Sequence, residues 1–359
     1  MRLQIIREKL DTGKRIHEDE ARWLYLNASN EELQSLAQVV RARYHRIKEA
    51  TWTKMCIINF TNICVAKCDF CAFYRLPHQE GTYTLTPDAL VKKVAAFRKL
   101  DEGEGYIGFN GGFNPKLSLA TYKEVFGEVR DKFPELTLYE MTIPEFMFYC
   151  KLGKIPHDEG VRYLRESGTK WIPGGGAEVL SQSFRDRHSP GKYTVQDFYK
   201  AQAAVISGGL GTTATMVIGM DETLEERFEH LSTLRSFQDT WHAMPSFLCW
   251  TYKPYHTEFG GQEISNEEYY RWLAICRIYL DNFRHIRTSV LTKNEDGLKG
   301  LDYGADDFDL PTSDEVIEKA GGTISQDFET ILESARQLGY RLTRRGSFIT
   351  SSHQNSEKA

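Results

Sequence analysis

The sequence predicts an α/β chain built on a TIM-like (β/α)8 barrel, and three observations carry that expectation. Short runs rich in β-branched and aromatic residues recur from Met55 onward, amphipathic stretches of helical length separate most of them, and segments of unusual glycine and polar composition directly follow the strand-like runs. Strand and helix in alternation imply parallel strands joined by right-handed crossovers. Eight such strands close a barrel, with an open six-stranded partial barrel as the alternative. A chain of 359 residues can form such a barrel as one domain with appendages.

Residues 1–50 read as a helical N-terminal extension. Trp23 and Leu26, then Leu33, Leu36, Val40, Tyr44 and Ile47, recur at helical spacing, and Ser29 with Glu32 forms a capping box for the second segment. The barrel is expected over 51–310, with strands at 55–60, 105–110, 136–142, 169–173, 212–218, 245–250, 286–291 and, weakly, 300–303. Helices are expected at Pro87–Leu100, Leu119–Lys132, Pro144–Ser167, Val195–Ser207, Leu224–Asp239 and Asn266–Asn282. Pro87 and Pro144 suit a first helical turn, and Asp221 or Thr223 caps the helix that starts at Leu224. Residues 311–359 read as a helical C-terminal region whose polar end, 351–359, is expected to fray.

Composition narrows the function. A formal charge of −5 leaves no basic footprint for nucleic acid, so small-molecule chemistry is the default. No apolar run reaches the roughly 18 residues of a membrane span, and the charged N-terminus has no signal-peptide core. Seven cysteines, three of them crowded together, suit a thiolate-bound cofactor in a reducing cytoplasm better than a disulfide scaffold.

Those three are Cys64, Cys68 and Cys71, on a loop too short to give each its own packing role. Convergence on one metal centre explains them better than core filling. Three thiolates complete three positions of a 4Fe-4S cluster and leave one iron open. The alternatives are a fourth ligand from Cys56, Cys150, Cys249 or Cys276, closing the cluster, or zinc completed by a distant histidine. A barrel places its site at the carboxyl ends of its strands. The loops expected there are Asn62–Arg75, Asn110–Pro115, Gly174–Glu178, Gly219–Glu222 and Thr251–His256. Gly111-Gly112 either lets backbone approach a ligand or marks a turn, and Gly174-Gly175-Gly176 leaves amides for a carboxylate or phosphate. Glu178 is a ligand contact or a first-turn acid.

The spacing Cys64-x-x-x-Cys68-x-x-Cys71, with Phe70 before the third cysteine, resembles the radical S-adenosylmethionine superfamily. The words Asn59 to Cys64, Cys71 to Arg75, Ile172 to Leu180 and Thr212 to Met216 are similar to the futalosine-pathway menaquinone enzymes and the related deazaflavin-cofactor synthases. The resemblance implies that the three cysteines ligate the cluster and that S-adenosylmethionine takes the open iron. It implies that Asn110, Gly111 and Gly112 lie near its methionine part, that Glu178 and Arg185 contact it, and that Tyr74 and the Gly219 loop face its adenosine. It assigns no catalytic acid or base. The implied activity is radical cyclisation of dehypoxanthine futalosine through a 5'-deoxyadenosyl radical. The alternatives are aminofutalosine synthesis or another carbon–carbon bond-forming reaction and, outside catalysis, iron-sulfur electron transfer. The implied partners are a small-molecule substrate and an electron donor such as flavodoxin or ferredoxin. The sequence departs from the subgroup at Asn110, Met220 and Cys249, where Gln, His and Pro are usual, and lacks a Thr-Gly-Gly word around Asp239 to His242.

Overall fold

The computed structural model describes residues 1–101 and 105–346. Its strands are β1 (Glu49–Asn59), β2 (Tyr106–Asn110), β3 (Thr137–Tyr139), β4 (Ala214–Ile218), β5 (Ser246–Thr251), β6 (His285–Thr288), β7 (Asp307–Ser313) and β8 (Arg341–Arg344). All pairings between them are parallel, in the order β3-β2-β1-β7-β6-β5-β4, and β8 adds to the amino-terminal half of β1. Single-residue parallel bridges from Tyr139 to Trp171 and from Trp171 to Gly211 join the two ends, so the sheet curls round on itself. The expected fourth strand at 169–173 is thus one bridging residue. Pro173 has no N–H to give, and the glycines after it offer no side chains to a ladder.

Two further expectations are corrected. Residues 300–303 do not form a strand: Asn294–Leu301 is a 3-10 helix, and the eighth barrel position belongs to β7, which runs across the expected boundary at 310. The single helix expected over Pro144–Ser167 is two, Ile143–Gly153 and His157–Glu166, separated at Lys154, whose φ is 54°, and at Pro156. The C-terminal region carries helices Glu315–Lys319 and Phe328–Gln337 as well as β8, while 351–359 lies outside the described residues. No described helix is long and apolar enough to cross a membrane.

In the N-terminal extension the helices are Arg2–Asp11, Glu18–Asn27 and Asn30–Arg41. The Ser29/Glu32 capping box forms, with Glu32 N–H donating to Ser29 Oγ at 3.2 Å and Ser29 N–H to Glu32 Oε2 at 2.7 Å. Leu33, Leu36 and Val40 are buried in the same core as Trp272 of helix Asn266–Tyr279, whereas Leu26 and Ile47 are exposed. Beyond Arg41 the extension is fastened to the amino end of the barrel. Asp306 Oδ2 accepts from His285 Nδ1 at 2.6 Å and lies 3.1 Å from His45 Nε2, and its other oxygen takes Ile286 N–H at 2.9 Å and the Arg277 guanidinium.

Candidate active site at the carboxyl rim

All three cysteines of the motif line a cavity at the carboxyl ends of the strands. Their loop leaves β1 at Asn59 and is held from several sides. Asn62 Nδ2 donates to Gly81 O at 2.9 Å, Cys64 N–H to Arg75 O at 3.0 Å and Val65 N–H to Phe113 O at 3.1 Å. Ala66 and Cys68 pack on Phe113, which stacks on Phe148 with ring centroids 4.6 Å apart. No disulfide engages the thiols, and burial pushes that of Cys68 up to about 12 and raises those of Cys64 and Cys71. In so apolar a nest the thiolate forms when a metal replaces the proton.

Three thiols on one loop, all on the same cavity wall, make up the three-cysteine donor set of a 4Fe-4S cluster with one iron left open. The other four cysteines are buried away from this cavity wall.

Gly111 and Gly112 are required by crowding. A Cβ on Gly112 would lie 2.6 Å from the Cys64 Cβ and collide with the Ile63 carbonyl, and one on Gly111 would enter the Phe60 ring at 2.6 Å. Gly112→Ala is therefore expected to displace Cys64 and reduce cluster occupancy and activity about tenfold or more, measured as iron per chain and turnover after identical reconstitution. The turn is fixed by Glu145, which the sequence reading missed. Its carboxyl group, raised to about 7 by burial, accepts from Gly111 N–H at 2.9 Å and Thr142 N–H at 2.9 Å. The available signal was the Thr142/Glu145 capping box.

On the opposite wall Glu178, at φ 44°, accepts from Lys192 Nζ at 2.8 Å and Arg185 Nη1 at 3.0 Å. Lys192 lines the cavity and was not singled out from the sequence. Arg185 is fully buried, off the cavity wall, with Nη2 on Ser189 Oγ at 2.7 Å and its guanidinium over the Tyr193 ring, so it holds Glu178 from behind. The glycine triplet serves close packing at its first member: Gly174 N–H points at Thr213 Oγ1, and Gly174 O accepts from Thr215. Tyr74 and Asn110 line the cavity. The Tyr74 hydroxyl donates to Glu258 at 2.8 Å, and burial together with that carboxylate pushes it up to about 12. Trp250 and Tyr252 form wall, whereas Tyr255 is 54% exposed and stands outside it. Met220 is wall too, its N–H held by Glu222 at 2.9 Å.

Two histidines missed in the sequence brace these loops. His188 bridges Asp69 of the cysteine loop at 2.9 Å and Asp221 of the loop after β4 at 2.7 Å. His230 Nδ1 accepts Leu180 N–H at 2.9 Å, while its Nε2 is buried without a partner. Burial, with the nearby Arg185 charge, pushes its pKa from 6.5 down to about 3. The folded ring stays neutral where the unfolded chain takes up a proton. Its contribution is therefore complete above pH 6.5 and is lost as pH falls toward 3. Between pH 6.5 and 4.5 this amounts to roughly 2 kcal/mol. His230→Gln, which keeps an acceptor for Leu180, is expected to flatten that limb in urea unfolding measured across the range.

Residues 58–234 match the radical SAM superfamily and residues 242–353 the CofH/MqnC C-terminal region. The chain is 32% identical to the cyclic dehypoxanthine futalosine synthase of Halalkalibacterium halodurans, over 94% of this chain and 92% of that protein. This chain belongs to the radical SAM superfamily. It is also 30% identical to the aminodeoxyfutalosine synthase of Thermus thermophilus, over 93% of this chain and 91% of that one. The crystal structure of methylornithine synthase superposes with a TM-score of 0.72 at 16% identity, covering 94% of this chain and 97% of that one, which is a likeness of fold. Radical SAM membership implies an enzyme that uses a 4Fe-4S cluster and S-adenosylmethionine on a small-molecule substrate and draws on a reductant. The three thiols gathered on the cavity wall fit that requirement.

Proposed function

We propose that this chain is a radical S-adenosylmethionine cyclase that converts dehypoxanthine futalosine to its cyclic product in menaquinone biosynthesis. The reading is carried by a three-thiol loop on a cavity wall in a chain similar along almost its whole length to a cyclic dehypoxanthine futalosine synthase. Cys64, Cys68 and Cys71 would hold the cluster. When bound, the cluster supplies the electron that cleaves S-adenosylmethionine to a 5'-deoxyadenosyl radical.

The chain's own residues then confine the reaction. Gly111 and Gly112 let backbone lie against the cysteine loop, and Asn110, Glu178 and Lys192 offer polar groups beside the thiols for the amino and carboxylate groups of the cosubstrate. Arg185 positions Glu178. Tyr74 stands on the adenosine side. Trp250, Tyr252, Leu291 and Ile317 give a largely apolar far wall that excludes water and stray hydrogen donors from a reactive carbon radical.

Anaerobic incubation of the reconstituted protein with reductant, S-adenosylmethionine and dehypoxanthine futalosine is expected to yield 5'-deoxyadenosine and the cyclic product, read by mass. Formation of 5'-deoxyadenosine without that product would overturn the cyclase assignment. The similarity to aminodeoxyfutalosine synthase favours that reaction as the second reading, and the mass of aminodeoxyfutalosine distinguishes it.

A further inference from the structure

We propose that Lys253 is the anion-binding residue of the substrate half of the cavity and receives the carboxylate of an aromatic acid. The inference rests on the cyclase reading for the identity of the substrate and on this structure for the site. Among the described residues, the cations on the cavity wall are Lys192 and Lys253. Lys192 lies beside Glu178 on the thiol side of the wall, where the cosubstrate is proposed to bind.

Lys253 is differently placed. It follows β5 with its side chain 11% exposed and lines both this cavity and the neighbouring outer pocket, where its Nζ is 2.6 Å from Glu263, whose side chain is 30% exposed and borders the outer pocket only. Exchanging so exposed a partner for a substrate carboxylate costs little. Lys293, buried and bonded to Ile264 O at 3.2 Å, adds a second positive charge beside it, and burial followed by the Lys253 charge lowers the Lys293 pKa. Glu263 and the exposed Asp296 are the acids facing this pair. Trp250 and Tyr252, from the same strand end, supply flat apolar surface, and the Thr251 hydroxyl between them is buried without a partner. A planar ring carrying a carboxylate matches that combination.

The test uses the cluster-loaded protein with benzoate and benzamide as probes in calorimetric titration. The wild type is expected to bind benzoate about tenfold or more tighter than benzamide. Lys253→Met is expected to remove the preference and to raise KM for dehypoxanthine futalosine about tenfold. Glu263→Gln, which frees the ammonium, is expected to tighten benzoate binding, an effect a merely structural lysine would not give. Equal binding of the two probes by the wild type, or an unchanged preference in Lys253→Met, would overturn the proposal. If the wild type prefers benzoate yet fails to convert dehypoxanthine futalosine, the cyclase reading falls and the anion site stands.

Discussion

Replacing Cys64, Cys68 or Cys71 singly by alanine is expected to abolish the bound cluster and to lower 5'-deoxyadenosine formation by at least about a thousandfold. Two remaining thiols cannot retain a cluster in a pocket where burial already opposes free thiolates, so nothing is left to deliver the cleaving electron. Cys56→Ala and Cys150→Ala are the matched controls. Both side chains are buried away from the cavity wall, and both variants are expected to keep iron, the charge-transfer absorbance of the cluster and turnover. Loss of iron in either control would reveal a fourth protein ligand.

The second large effect lies at the other end of the barrel. Asp306→Ala is expected to destabilise the fold by about 3–5 kcal/mol in urea unfolding, because it strands the fully buried Arg277 guanidinium and removes the acceptor shared by His45 and His285. Arg277→Met alone is expected to cost a similar amount. The pair Arg277→Met with Asp306→Leu should cost clearly less than the sum, since no buried charge is then left alone.

The cysteine motif was legible because its information is local: three residue types at fixed spacing after a strand. The alternation of strand and helix was legible for the same reason. β7 was not, because Asp307 and Asp309 interrupt its apolar run, and their burial makes sense only with Arg287 and Arg345 in place. Asp309 also accepts from Tyr106 at 2.6 Å, across from another strand. Trp171 fell short of a strand because a proline and three glycines follow it closely. In the site, Asn110, Glu178 and Tyr74 line the cavity, and Arg185 lies one layer behind it. Lys192, His188 and His230 acquire their roles from partners 14 to 119 positions away, such as Lys192 with Glu178 and His188 with Asp69, and no local pattern marks such pairs, whereas Glu145 had the local signal of its capping box with Thr142.

The pairing of β1 with both β7 and β8 sets an order of assembly. β1 is made long before its partner across the Thr51–Asp307 register. Until then one edge of β1 has no strand beside it, and the Asp306 fastening of the N-terminal helices has no anchor. At about 5–20 residues per second, the roughly 250 residues between them keep the nascent chain open for tens of seconds. The loop that carries the thiols is therefore born on an unfinished sheet, and part of the wall that shields it is made only after the sheet can close.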